Sequence, residues 1–109
     1  PESPPMPTIT RPRDFTAERA WGALDIARLD GISVRLHWTD APYRWHVNDG
    51  AEVFTVLDGR VEMRWRADGQ EHRALLEPGD VFFAEVGCEH VAHPQGPARI
   101  LVVERAGSV

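Results

Sequence analysis

Apolar and polar residues alternate in short runs along most of this chain, the two-residue period of strands with one buried face rather than the 3.6-residue period of helices. Residues 24–29 and 32–38 flank Asp30-Gly31, a pair that tolerates positive φ and predicts a two-residue hairpin. In the second of these runs Ile32, Val34, Leu36 and Trp38 share one face, and His37 lies on the other. Asp-Gly recurs at 49–50, 58–59 and 68–69, and between the last two Val61, Met63 and Trp65 alternate with Arg60, Glu62, Arg64 and Arg66. That is a strand with one wet face. Residues 81–84 are apolar on both faces and are expected to be the more deeply buried, and residues 100–103 read as a closing strand.

The nine glycines divide the chain into segments suited to strands of roughly 6–8 residues. The expectation is about eight or nine strands in an all-β fold, a single antiparallel β-barrel or jelly roll over residues 14–109. Residues 1–13 hold Pro1, Pro4, Pro5, Pro7 and Pro12 and read as a flexible proline-rich arm. A helical turn is expected between Asp14 and Trp21.

Charge narrows the classes of partner. The net charge is −5, all twelve basic residues are arginine, and the stripe Arg60, Arg64, Arg66 and Arg73 is interrupted by Glu62, Asp68 and Glu71. That pattern reads as a solvated sheet face, not a nucleic-acid surface. The apolar runs are too short for a membrane span and no apolar leader is visible, so the expectation is a soluble cytoplasmic protein. The single cysteine, Cys88, cannot form an internal disulfide, which suits a reducing compartment.

Four polar side chains interrupt apolar strands: His46, Asn48, Glu52 and His90. His46 and Asn48 are two apart and project from one face of a strand. Glu52 opens a hydrophobic run, where a carboxylate is costly to bury unless it is paired or bound to metal. Two imidazoles, a carboxylate and an amide oxygen make a first shell for a divalent transition metal; iron, zinc, manganese and nickel all accept it. The alternative is a buried polar network that ties strands together.

The stretch from His46 to Gly59 resembles the first motif of the cupin superfamily, G(x)5HxH(x)3–4E(x)6G, and Gly79, Glu85, Gly87 and His90 resemble the second, G(x)5PxG(x)2H(x)3N. The resemblance covers roughly residues 22–105. It implies a small single-domain cupin with His46, Glu52 and His90 as metal ligands, and Asn48 where the family usually has its second histidine. Asp40 replaces the leading glycine of the first motif, while Glu85 and Pro94 replace the proline and asparagine of the second. The resemblance also implies a homodimer, with Trp21, Trp38 and Trp45 as interface candidates.

Strand parity makes Arg44 a candidate anchor for an anionic small-molecule ligand, unless the strand has not begun there and the side chain is solvated. Phe54, Val56, Met63, Trp65 and Phe82 are candidates for the pocket lining or for plain core. His93 reads as exposed or as a neighbour of the ligands, His72 as surface, and Cys88 as a small buried residue rather than the nucleophile of a Cys-His pair. The function stays open between a metal-dependent enzyme of undetermined reaction class, a non-catalytic ligand-binding or structural cupin without metal, and a metal-free isomerase using His46 or His90 with Tyr43.

Overall fold

The computed structural model describes residues 3–108, and Pro1 and Glu2 of the arm lie outside the described residues. Residues 3–11 run exposed and without regular structure. Instead of a helical turn over 14–21, a single 3-10 turn forms earlier, at Pro12–Asp14, where a proline supplies the fixed φ of a first helical position. The chain goes no further as helix because its groups are engaged elsewhere. Arg99 donates from Nε to the Phe15 carbonyl (2.7 Å) and from Nη2 to Thr16 Oγ1 (3.2 Å).

Among the described residues nine strands follow: β1 (Gly22–Leu29), β2 (Ile32–Thr39), β3 (His46–Val47), β4 (Glu52–Asp58), β5 (Val61–Ala67), β6 (Gln70–Leu76), β7 (Val81–Ala84), β8 (Glu89–Pro94) and β9 (Ala98–Arg105). They pair antiparallel into a five-stranded sheet, β1-β2-β9-β4-β7, and a four-stranded sheet, β3-β8-β5-β6. The architecture is an all-β jelly roll, but the two sheets face each other as a sandwich and do not close into a barrel. Asp30-Gly31 and Asp68-Gly69 have positive φ at both residues and close true hairpins. Asp49-Gly50, Asp58-Gly59 and Gly79 instead carry the chain from one sheet to the other.

The core lies between the sheets. Phe54, Val56, Ile100 and Val102 come from the first, and Val61, Met63, Leu76 and Ala92 from the second. Along each inner face the residues turn polar at the same end: Val56, Phe54, Glu52 on β4; Ile100, Val102, Glu104 on β9; Ala92, His90 on β8. One end of the sandwich is therefore sealed by hydrocarbon, and the other is lined by groups with chemistry.

Two expectations about faces are corrected. β7 is an edge strand, and its outward residues Val81 and Phe83 are 61% and 60% exposed rather than buried. In β2 Arg35 and His37, not the apolar residues, share the face that looks toward the other sheet, because they stand opposite Val102 and Ile100 of the core; Leu36 on the other face is nonetheless only 1% exposed. The wet-looking face of β2 is the inner one. Among the described residues no helix is long and apolar enough to cross a membrane.

Candidate metal centre

Three ligand-type side chains arrive at the polar end from three strands. His46 and His90 are directly opposed across β3 and β8, so both imidazoles share the inner face, with ring centroids 4.4 Å apart. Glu52 reaches them from the facing sheet, and its Oε1 lies 3.1 Å from His90 Nε2. One ligand atom from each of the three lies within 4.8 Å of the others.

Backbone carbonyls set the tautomers. His46 Nδ1 is 3.1 Å from the Arg44 carbonyl, and His90 Nδ1 is 3.3 Å from that of Cys88. A carbonyl only accepts, so each Nδ1 carries a proton and each Nε2 of a neutral ring is left as an acceptor. Burial holds the His46 imidazole below its ordinary pKa, which favours that neutral form. His90 Nε2 faces Glu52 Oε1, so a proton or a cation sits between them, and both residues are shielded from water at 2% and 8% exposed. The donor set, two imidazole nitrogens and one carboxylate with fixed outer hydrogen bonds, fits a divalent transition metal.

Asn48 is also buried, and its Nδ2 donates to the Ala84 carbonyl at 3.2 Å, tying β3 to β7. Its own backbone N–H donates to Cys88, and its carbonyl accepts from Gly87, so the loop before His90 is held at both ends. Burial raises the Cys88 thiol pKa, which keeps it protonated and a poor nucleophile.

A cavity of about 230 Å³ opens beside the cluster. Of the residues read as pocket candidates from the sequence, Phe54 lines it. Val56 and Met63 are fully buried in the core below, where Trp65 and Phe82 pack against them. The Phe82 ring lies 5.8 Å from that of His90. Arg44 is exposed, precedes β3, and lies over the Tyr43 ring outside the cavity wall. Trp45 stacks under Arg66, with the guanidinium carbon 3.8 Å from its ring centroid, and His72 stacks on Trp65. His93 pairs with Glu62 on the outer face of the four-stranded sheet.

Sequence reasoning did not find Trp21, Arg35 and Glu104 in the wall; Tyr43, read from the sequence only as the partner of a metal-free isomerase, also lines it, and His37 reaches the cavity from the face opposite Leu36. Trp21 anchors one side through Nε1 to the Ala41 carbonyl (2.9 Å), and its own carbonyl accepts from His37 Nδ1 (3.1 Å). Burial holds His37 below its ordinary pKa, so its Nε2 is an acceptor as well. Tyr43 links this wall to the cluster, edge-on to Trp21 and to His46 at centroid distances of 5.3 and 5.2 Å. A signal for Glu104 was present: it follows Ile100 and Val102 at the two-residue period, as Glu52 precedes Phe54 and Val56.

Glu104 stands directly across from Glu52 on the neighbouring strand. Burial, and then the Glu52 charge, push its carboxyl from 4.5 up to about 7. The sign follows from proton linkage. Between these values the folded protein holds a proton that the unfolded chain has lost, so the Glu104 contribution to stability falls as pH rises. The side chain is only half-buried, and screening reduces the effect to roughly 1–2 kcal/mol. In chelator-treated protein, Glu104→Gln is expected to raise Tm by several degrees at pH 8 and to leave it nearly unchanged at pH 5. Equal shifts at both pH values would show that the carboxyl is not destabilising.

Comparison with known proteins places this geometry. The family model described as Cupin domain matches residues 36–104. A cupin-2 domain containing protein from Shewanella frigidimarina is 22% identical, with a TM-score of 0.72 over 82% of this chain and 84% of that one. A cupin superfamily protein from Desulfitobacterium hafniense is 16% identical, with a TM-score of 0.73 over 96% and 93%. Hydroquinone 1,2-dioxygenase in complex with Cd2+ and 4-hydroxybenzonitrile is 16% identical, with a TM-score of 0.70 over 83% of this chain and 67% of that one. At these identities the likeness concerns the fold alone. Comparison with curated protein sequences finds no match.

Proposed function

We propose, from the premise that the chain belongs to the Cupin domain family, that it binds a divalent transition metal through His46, Glu52 and His90 and takes a small organic ligand in the adjoining cavity. The observation that carries this reading is the convergence of His46, Glu52 and His90, whose ligand atoms lie within 4.8 Å of one another, with His90 Nδ1 turned to the Cys88 carbonyl and Nε2 toward Glu52. The Cd2+ complex of the similar dioxygenase supports it, as a structure of this fold that holds a divalent cation. Asn48 is a fourth, weaker donor through Oδ1, since its Nδ2 is committed to Ala84. Iron, zinc, manganese and nickel all suit the donor set.

Bound there, the metal would supply Lewis-acid polarisation of a ligand oxygen. The chain's own groups do the rest. His37 Nε2 accepts a hydrogen bond from the ligand, the Trp21, Tyr43 and Phe54 wall excludes water from one side, and Glu104 holds a proton near neutral pH at the cavity edge. Such an arrangement serves a metal-dependent enzyme of open reaction class or a ligand-binding cupin. Elemental analysis of protein purified without chelator tests the core claim. About one metal per chain is expected, and no metal even after incubation with iron, zinc or manganese would sink it.

One observation favours a second reading. Tyr43 lies beside His46, and His90 pairs with Glu52, which is the acid, base and carboxylate set of a metal-free isomerase. Turnover unaffected by chelation would select it. We also propose a homodimer in the cytoplasm. The exposed Val81 and Phe83 beside the open β7 edge support the first, and the lone free thiol of Cys88 the second. Light scattering at micromolar concentration is expected to give twice the chain mass; a monomer would overturn the assembly.

A further inference from the structure

We infer that Arg35 is the anchor for a carboxylate, so that the cavity takes a small organic acid whose second oxygen-bearing group reaches the metal centre. This deepens the proposed function and rests on His46, Glu52 and His90 holding a metal. Four observations lead to it.

The first is position. Arg35 lines the same cavity as His46, Glu52 and His90, and among the described residues it is the only arginine that does. In register it stands opposite Val102, which stands opposite Phe54, two residues from Glu52. Two strand spacings therefore separate its backbone from that of β4, about 10 Å. The long side chain spans part of that gap, and a ligand of a few atoms' length spans the rest.

The second is orientation. Asp25 is the cross-strand partner of Arg35, and its Oδ1 accepts from Nε at 3.0 Å. Both Nη groups are without hydrogen-bond partners among the described residues. An exposed pair of this kind adds little stability, but it holds the guanidinium at a fixed angle and leaves its terminal donors free. That is the fork which receives a planar carboxylate.

The third is charge. Among the described residues Arg35 is the one permanent cation in the wall, where it faces Glu52 and Glu104. With a divalent ion bound, the cavity becomes positive overall. A singly charged carboxylate matches the one arginine and leaves its second oxygen-bearing group for the metal position.

The fourth is size and surface. A volume of about 230 Å³ lies below the ~300–1,000 Å³ of sites for drug-sized ligands. Trp21, Tyr43 and Phe54 give the ligand's body an apolar wall.

The test uses metal-loaded full-length protein and titrates salicylate, 4-hydroxybenzoate and malate against their neutral amides by calorimetry. At least one carboxylate is expected to bind ten-fold or more tightly than its amide. Arg35→Gln is expected to erase that preference and Arg35→Lys to retain part of it, with metal content unchanged in both. Arg44→Gln should behave as wild type. If no carboxylate is preferred over its amide, or if Arg35→Gln keeps the preference while retaining metal, the anchor is overturned and the metal site stands. If none of the proteins takes metal, the failure lies in the reading beneath.

Discussion

Replacing His90 with alanine is expected to abolish stoichiometric metal binding, weakening it by about three orders of magnitude or more, since loss of a mere outer-shell partner already costs ~10–100-fold. His90 is the centre of the cluster. It opposes His46 across a strand pair, contacts Glu52 from the other sheet, and is only 2% exposed. Its removal leaves the Glu52 carboxylate buried with no partner, so stability should fall in the metal-free protein as well. The two effects can be separated. His90→Gln keeps a polar group of similar reach and restores much of the stability, but its amide oxygen is a poorer donor to a transition metal than imidazole. Metal content and affinity measured on wild type, His46→Ala, His90→Ala and His90→Gln decide the matter. Full metal occupancy in folded His90→Ala would show that the ion lies elsewhere.

Gly59→Ala is expected to cost about 3 kcal/mol or more and to lower Tm by roughly 10 °C or more. Gly59 has φ +79°, in the left-handed region where a Cβ is strained, and it turns the chain from β4 in one sheet to β5 in the other. A Cβ there would also run into the Pro97 carbonyl oxygen and come within 3.0 Å of the Ala98 Cα. Backbone cannot move aside as a flexible side chain does, and Ala98 is itself fully buried. Gly69 supplies the control. Its φ is +71° but a Cβ would meet nothing within 4 Å, so Gly69→Ala isolates the conformational strain at about 1 kcal/mol. Thermal melts of both variants test the close approach; equal losses would mean that it contributes nothing.

How much of the site could be read before folding depended on whether a residue broke a pattern. His46, Glu52 and His90 each interrupt an apolar strand, and their motif-like spacing brings them to mind together. Arg35 breaks nothing. It is a polar residue on the polar side of an amphipathic strand, and such a side ordinarily faces water. Arg44 shares parity with His46, which makes it a candidate anchor only if the strand already runs there; β3 begins at His46, so the solvated alternative holds. The short strand β7 misled for the opposite reason. Four consecutive apolar residues suggest burial on both faces, yet an edge position leaves Val81 and Phe83 uncovered.

The sequence by itself determined the all-β class, the hairpins at Asp30-Gly31 and Asp68-Gly69, and the identity of the three clustered ligand-type side chains. These depend on local rules: a two-residue period, positive φ in two-residue turns, and the cost of a polar group in an apolar run. Tertiary structure alone decided which face of each strand looks inward and how the sheets are joined. Period-two alternation defines two faces but does not say which one meets another layer, and that depends on what packs across from it. For β2 the answer turned the polar face toward the candidate metal centre. That inversion placed Arg35 and His37 in the wall of the cavity.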